Sequence, residues 1–316
     1  MKRLAALLAA VGWGLGALAQ GADNRVPFAD PSILYHNGYY YAYGTHSKNG
    51  IDVARSRDLK TWQGQVGRAK GHLALHKEDV YGESRFWAPE VYRVKDRFIM
   101  YYSADLHVCA AVADHPLGPF TQQEKRPIFP DFEGIDNSLF IDQNGKGWMT
   151  FVRFDNGNVV WSVEMSDDYL RAKPETLRFC FRATQPWELK MGSINEGLFV
   201  TRYRNRYFMT YSGNDFRSQD YGIGCAVATD MKGPWRKVAD NPLLHSCNGL
   251  VGIGHSAMFR DKNGNLKIVF HAHNSTTSVQ PRRMYIADVS FRDRPDGEPE
   301  MVIGKRFITA RYGKVE

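Results

Sequence analysis

The chain has 316 residues, 43% hydrophobic and 24% charged, with 41 Lys and Arg against 34 Asp and Glu and a formal net charge of +7. That excess is scattered and forms no basic stripe of the kind a nucleic-acid-binding surface shows, so such a partner is not expected. After the first two dozen residues no run is long and apolar enough to span a bilayer.

The chain opens with the basic start Met1-Lys2-Arg3, an apolar run from Leu4 to Leu18 and the small residues Ala17 and Ala19. This is the layout of a secretory signal peptide, residues 1–19, cleaved after Ala19. Gly12, Gly14 and Gly16 weaken the run as an uncleaved anchor helix, which would need about 20 apolar residues. Export is expected, to the periplasm or the exterior of a bacterium.

Five stretches then repeat one pattern: a polar slot, a short apolar strand, a turn rich in Gly, Asn or Asp, and a second apolar strand. Their slots are Asp30, Ala88, Asp136, Glu196 and His255, spaced 58, 48, 60 and 59 residues apart. A second motif follows each, as in residues 50–62, 108–120, 159–170, 223–235 and, more loosely, 284–295. It reads as an outer strand, an Asp-containing turn and often an aromatic residue wedged between neighbours. A strand-only repeat of this period predicts an all-β, five-bladed β-propeller, one domain over 20–316 with no appended module. Segment 171–194 reads as irregular, and 63–86, rich in His, Lys and Glu, as a long connection that walls one face. Cys109, Cys180, Cys225 and Cys247 have no metal-site spacing and either pair or stay as buried thiols.

Equivalent slots of a propeller converge on its axis, so three carboxylates and an imidazole from distant sequence would share one mouth. Taken alone, Asp30-Pro31 reads as a turn, Asp136-Asn137 as an Asx-turn, Glu196 as a solvated strand end and His255 as a satisfied core histidine. Four such residues at one repeat position argue for chemistry instead. Cleaving a glycosidic bond needs one protonated carboxyl at the leaving oxygen and one ionised carboxylate opposite, with environments that push their pKa values apart. A third carboxylate can raise the pKa of the acid. Asp30, Asp136 and Glu196 supply that set.

The segments FADPSI (28–33), WAPEV (87–91), GIDNSLFIDQNG (134–145), NEGLF with YFMTYSGN (195–214) and GHSAMF (254–259) resemble glycoside hydrolase family 43 over nearly the whole mature chain. These are five-bladed propeller enzymes acting on arabinose- and xylose-containing polysaccharides. The resemblance implies that Asp30 is the general base, Glu196 the general acid and Asp136 the residue tuning Glu196, with inversion at the anomeric carbon. It implies an axial role for His255, beside a calcium ion or a water network, and an arginine in the sugar pocket, Arg282 or its neighbour Arg283. Trp87 would serve either as an apolar wall for a sugar ring or in blade packing, and Ala88 leaves space. His46, Phe86 and Asn214 are further pocket candidates. Endo-acting arabinanases of the family usually carry a histidine just before the base, where this chain has Phe28-Ala29. The expectation is therefore an exo-acting α-L-arabinofuranosidase, working as a monomer. β-Xylosidase, exo-galactosidase and a non-catalytic sugar-binding propeller are the alternatives, with a retaining, fructan-processing propeller as a further rival.

Overall fold

Each repeat folds as an antiparallel sheet, and the five sheets are arranged about one axis. The computed structural model describes residues 23–295 and 297–315. The segment read as a signal peptide lies outside the described residues. Five strands form the inner ring: Ala29–His36, Trp87–Val94, Gly134–Ile141, Asn195–Tyr203 and Gly254–Arg260. Each packs against the next, and the fifth packs against the first. Blades are numbered 1 to 5 in that order. In blades 1, 3, 4 and 5 the chain runs outward through at least four strands. Blade 2 has three, and the place of its fourth strand is held by a bridge from Val112 to Thr121.

The aromatic of the second motif is buried where the sequence places it. Trp62, Phe120, Tyr169 and Trp235 are all under one-tenth exposed. Trp62 packs with Val26, Phe28, Phe259 and Met284 between blades 1 and 5. Burying one such ring is worth about 2–3 kcal/mol in area removed from water. The four cysteines are unpaired, and all but Cys247 are buried.

The ring is closed by the two ends of the described chain. Arg311–Tyr312 runs parallel to Thr61–Gln63 at the outer edge of blade 1. Val26 donates its N–H to Ala310 O at 3.0 Å and accepts from Met284 N–H at 3.1 Å, lacing blade 5 to the start of blade 1. Segment 63–86 packs on blade 1: Leu75–His76 pairs with Gly50–Ile51, and short 3-10 turns span Lys70–His72 and Lys77–Asp79.

Every inner strand carries a β-bulge at its upper end, where two residues oppose one. The first bulged residue has positive φ in all five blades: Asp30 48°, Ala88 46°, Asp136 55°, Gly197 59° and His255 46°. This corrects the sequence reading by one residue in blade 4. The slot there is Gly197, and Glu196 stands one position earlier, level with Ala29, Trp87, Ile135 and Gly254.

A bulge frees a backbone N–H that the ladder no longer uses, and a buried donor needs an acceptor. In four blades the preceding blade supplies one from the same position of its second strand. Thr45 Oγ1 takes Ala88 N–H at 3.0 Å, Ser103 Oγ takes Asp136 N–H at 3.1 Å, Ser212 Oγ takes His255 N–H at 2.7 Å and His271 Nδ1 takes Asp30 N–H at 3.1 Å. Blade 3 has Val152 at that position, which cannot accept. There the Asp136 carboxylate itself takes the Gly197 N–H, at 3.1 Å.

Candidate active site

The bulges set the site. Asp30, Asp136 and His255 project from the bulges themselves. Glu196, one residue before its bulge, belongs with Ala29, Trp87 and Ile135, which line the walls of the same cavity. That cavity, of about 390 Å³, takes lining residues from all five blades: Thr45 and His46 join from blade 1, Phe216 from blade 4, and Gln280, Pro281 and Arg282 from blade 5.

Three of the four sequence slots are thus joined by Glu196 from the wall. His255 Nδ1 stands between two carboxylates, 3.3 Å from Asp30 Oδ1 and 3.7 Å from Asp136 Oδ2. Arg282 Nη1 donates to Asp30 Oδ1 at 2.9 Å, while its guanidinium lies over the Phe216 ring at 4.6 Å. Arg283 points elsewhere, to Asp23, Asn274 and the Arg25 carbonyl, which resolves the one-residue ambiguity in the sequence. Both Glu196 oxygens are held: Tyr221 OH donates to Oε1 and Asn158 Nδ2 to Oε2, each at 2.8 Å.

Their environments drive the carboxyls apart. Burial pushes Asp30 up, but Arg282, with His255, His271 and the Thr45 hydroxyl, outweighs it and holds Asp30 well below the usual carboxylate range. Asp136 is pushed up to about 7, by burial first and then by the Asp30 charge, with the Gly197 N–H opposing. Glu196 is pushed up to about 8, by burial and then by Asp136, with His255 and Tyr221 opposing. Burial also lowers both His255 and His271. His271 accepts a backbone N–H at Nδ1, so its proton sits on Nε2, and the 3.3 Å approach of Arg282 Nη1 to Nε2 is a contact between two donors. Near neutral pH the site therefore holds an ionised Asp30 and a protonated Glu196. One can take a proton and the other can give one.

Two pocket candidates fall outside the cavity lining. Phe86 is buried and stacks on Tyr102 at 6.1 Å. Asn214 is fully buried and staples a loop, accepting from Met191 N–H and donating to Ser218 Oγ. Residues 63–86 also contribute nothing to the lining. Of the lining residues that the repeat pattern missed, Pro27, Phe216, Gln280 and Pro281 stand outside strands, as does Tyr221, where no periodicity marks a position, while Thr45 and Ile135 lie on strands. His271 does lie on a strand and opposes Gly254, in the apolar run KIVFHAHN, where it reads as core.

Calcium takes six to eight oxygen ligands. The oxygens nearest His255 belong to Asp30 and Asp136, and they are already engaged by Arg282 and the Gly197 N–H. Among the described residues no three His, Cys, Asp or Glu side chains are grouped to hold a metal. The side-chain donors at this ring therefore do not by themselves make up a calcium site.

A propeller whose axial mouth gathers three carboxyls with divergent proton affinities has the frame of a sugar-cleaving enzyme. The sequence profile of glycosyl hydrolases family 43 matches residues 25–299, and the chain belongs to that family. A solved structure described as an endo-1,4-beta-xylanase from Bacteroides thetaiotaomicron is 41% identical, covering 93% of this chain and 99% of that one with a TM-score of 0.86. A thermostable family-43 glycoside hydrolase is 32% identical, covering 92% and 97%, with a TM-score of 0.80. An alpha-L-arabinofuranosidase B from Pyricularia oryzae is 28% identical over 77% of this chain. A beta-D-galactofuranosidase from Aspergillus niger is 24% identical over 83%. The chain spans 54% of the first of these two relatives and 78% of the second.

Proposed function

We propose that the chain is an exo-acting, inverting glycoside hydrolase that releases terminal α-L-arabinofuranosyl groups from plant polysaccharides. In this reading Asp30 is the general base. Kept ionised by Arg282, it takes a proton from a water that attacks the anomeric carbon. Glu196 is the general acid and protonates the departing glycosidic oxygen from the wall of the cavity. Asp136 acts on Glu196: its charge keeps the acid protonated, and its bond to the Gly197 N–H fixes the backbone beside it. Trp87 and Ile135 give the sugar ring apolar walls, and Arg282 and His46 offer donors to its hydroxyls.

The observation that carries the reading is the split between a carboxylate held ionised and a carboxyl held protonated in one cavity. The preference for a furanoside is supported by the two relatives named for furanosidases. An exo mode is supported by a cavity ringed by all five blades and flanked by Phe216 and Gln280–Arg282. A second reading, cleavage of β-1,4-xylosyl linkages, is favoured by the 41% identical structure described as a xylanase.

The test is release of 4-nitrophenol from α-L-arabinofuranoside, β-D-xylopyranoside and β-D-galactofuranoside, with NMR of the first-formed sugar. Turnover of the arabinofuranoside with inverted configuration is expected, abolished in Asp30→Asn. Preference for the xyloside selects the second reading, and a retained configuration defeats the water-activation mechanism.

A further inference from the structure

The segment between the second and third strands of blade 4, residues 214–221, touches both ends of the site. At one end Tyr221, fully buried, donates to Glu196 Oε1. At the other, Phe216 lies beneath Arg282, the partner of Asp30. The segment is held firmly. Asn214 donates to Ser218 Oγ, Gln219 Nε2 to Thr276 O, Gly252 N–H to Gln219 O, and the His273 ring meets Phe216 O at 2.8 Å.

Tyr221 occupies a space made for it. Gly254 fills the position that Trp87 and Ile135 fill in blades 2 and 3, and a Cβ there would lie 2.0 Å from Tyr221 Cε1. The phenol ring stacks on His271, centroids 5.8 Å apart at 11°, and His271 holds the Asp30 N–H. The Ser212 hydroxyl lies beside the phenol oxygen and itself accepts the His255 N–H. Tyr221 is thus braced by the clasps of the base and of the axial histidine.

We propose that Tyr221 is a positioning residue for the acid, and that the segment 214–221 aligns acid and base together, through Tyr221 at Glu196 and through Phe216 at Arg282. This rests on the assignment of Glu196 as proton donor. A donated hydrogen bond favours the ionised form of a carboxyl, so Tyr221 opposes burial, Asp136 and Asp30, and acts in the same sense as His255. Orientation is its larger service: a carboxyl free to turn presents its proton to the leaving oxygen only part of the time.

Two substrates separate this role from a merely structural one. A 4-nitrophenyl glycoside has a leaving group that departs with little protonation, whereas an alkyl or sugar aglycone needs the acid. Tyr221→Phe keeps the ring, its stacking and its volume. It is expected to lower kcat roughly ten- to a hundredfold on an alkyl arabinofuranoside, to change 4-nitrophenyl release far less, and to move the alkaline limb of the pH profile upward. Phe216→Ala acts through Arg282 and Asp30, so it is expected to slow both substrates equally. If Glu196→Gln shows the leaving-group dependence but Tyr221→Phe matches wild type on both substrates, the proposal is overturned and the assignment of Glu196 stands. If Glu196→Gln itself is fully active on the alkyl glycoside, both fall together.

Discussion

Asp30 and Arg282 form a buried ion pair, Oδ1 to Nη1 at 2.9 Å, with each side chain about one-tenth exposed. Because burial alone would neutralise Asp30, the guanidinium is what lets a carboxylate at the bottom of a cavity stay charged. Arg282→Gln removes that charge and keeps a donor. The Asp30 pKa is expected to rise, so the acidic limb of kcat/KM moves to higher pH, with a loss of about 10²-fold or more at the optimum. A pH–rate series on the variant checks both, and an unmoved acidic limb would separate Arg282 from the base.

The alkaline limb is expected to reflect Glu196 and Asp136 jointly, since the Asp136 charge raises Glu196. With Glu196 as the proposed proton donor, activity is expected to be lost as pH rises through its pKa of about 8. Asp136→Asn deletes the negative neighbour. Glu196 should then lose its proton at lower pH, and the alkaline limb should move down. Measured kcat against pH for wild type and Asp136→Asn decides it; an upward shift contradicts the assignment.

Gly197 carries the bulge of blade 4 at φ 59°, and a Cβ there would lie 2.8 Å from His255 Cα and 3.0 Å from its Cγ. Gly197→Ala must strain the backbone and displace the imidazole that stands between Asp30 and Asp136. A loss of about 1–3 kcal/mol in stability is expected, together with a fall in kcat. Denaturant unfolding and steady-state kinetics on the same preparation test this.

Behind the wall, Glu188 is fully buried and Lys237 nearly so, and they pair at 2.6 Å. Lys237 also donates to Asn195 Oδ1, next to Glu196, and Tyr211 OH donates to Glu188. Lys237→Met strands the carboxylate and should cost about 3–5 kcal/mol. The double variant Glu188→Gln with Lys237→Met should recover much of that loss, since no uncompensated charge remains. Melting temperatures of the three proteins suffice to check it.

Repetition made the architecture readable from sequence. The hydrophobic alternation of strands and the Gly, Asn and Asp turns recur five times, so blade number and axial convergence follow from spacing alone. The bulged slot was visible as Asp30, Ala88, Asp136 and His255, because each residue there sits in the same backbone kink. It was misread at Glu196, where the kink needs glycine. A Cβ at position 197 would lie 2.8 Å from His255 Cα, and the carboxyl of this blade stands one residue earlier on the strand. Phe216 and Tyr221 were invisible for a different reason. They reach the site through the folding of turns, whose residues obey local hydrogen bonding and not a period. His271 was hidden in an apolar strand, since a histidine that serves as a backbone acceptor has the same sequence signature as one that only packs.

The closing pair of strands at Arg311–Tyr312 and Thr61–Gln63 ties the end of the described chain to the blade that carries Asp30. Arg311 N–H donates to Lys60 O and Gly313 N–H to Trp62 O, so this edge adds to the packing that holds blade 5, with His255 and Arg282, against blade 1.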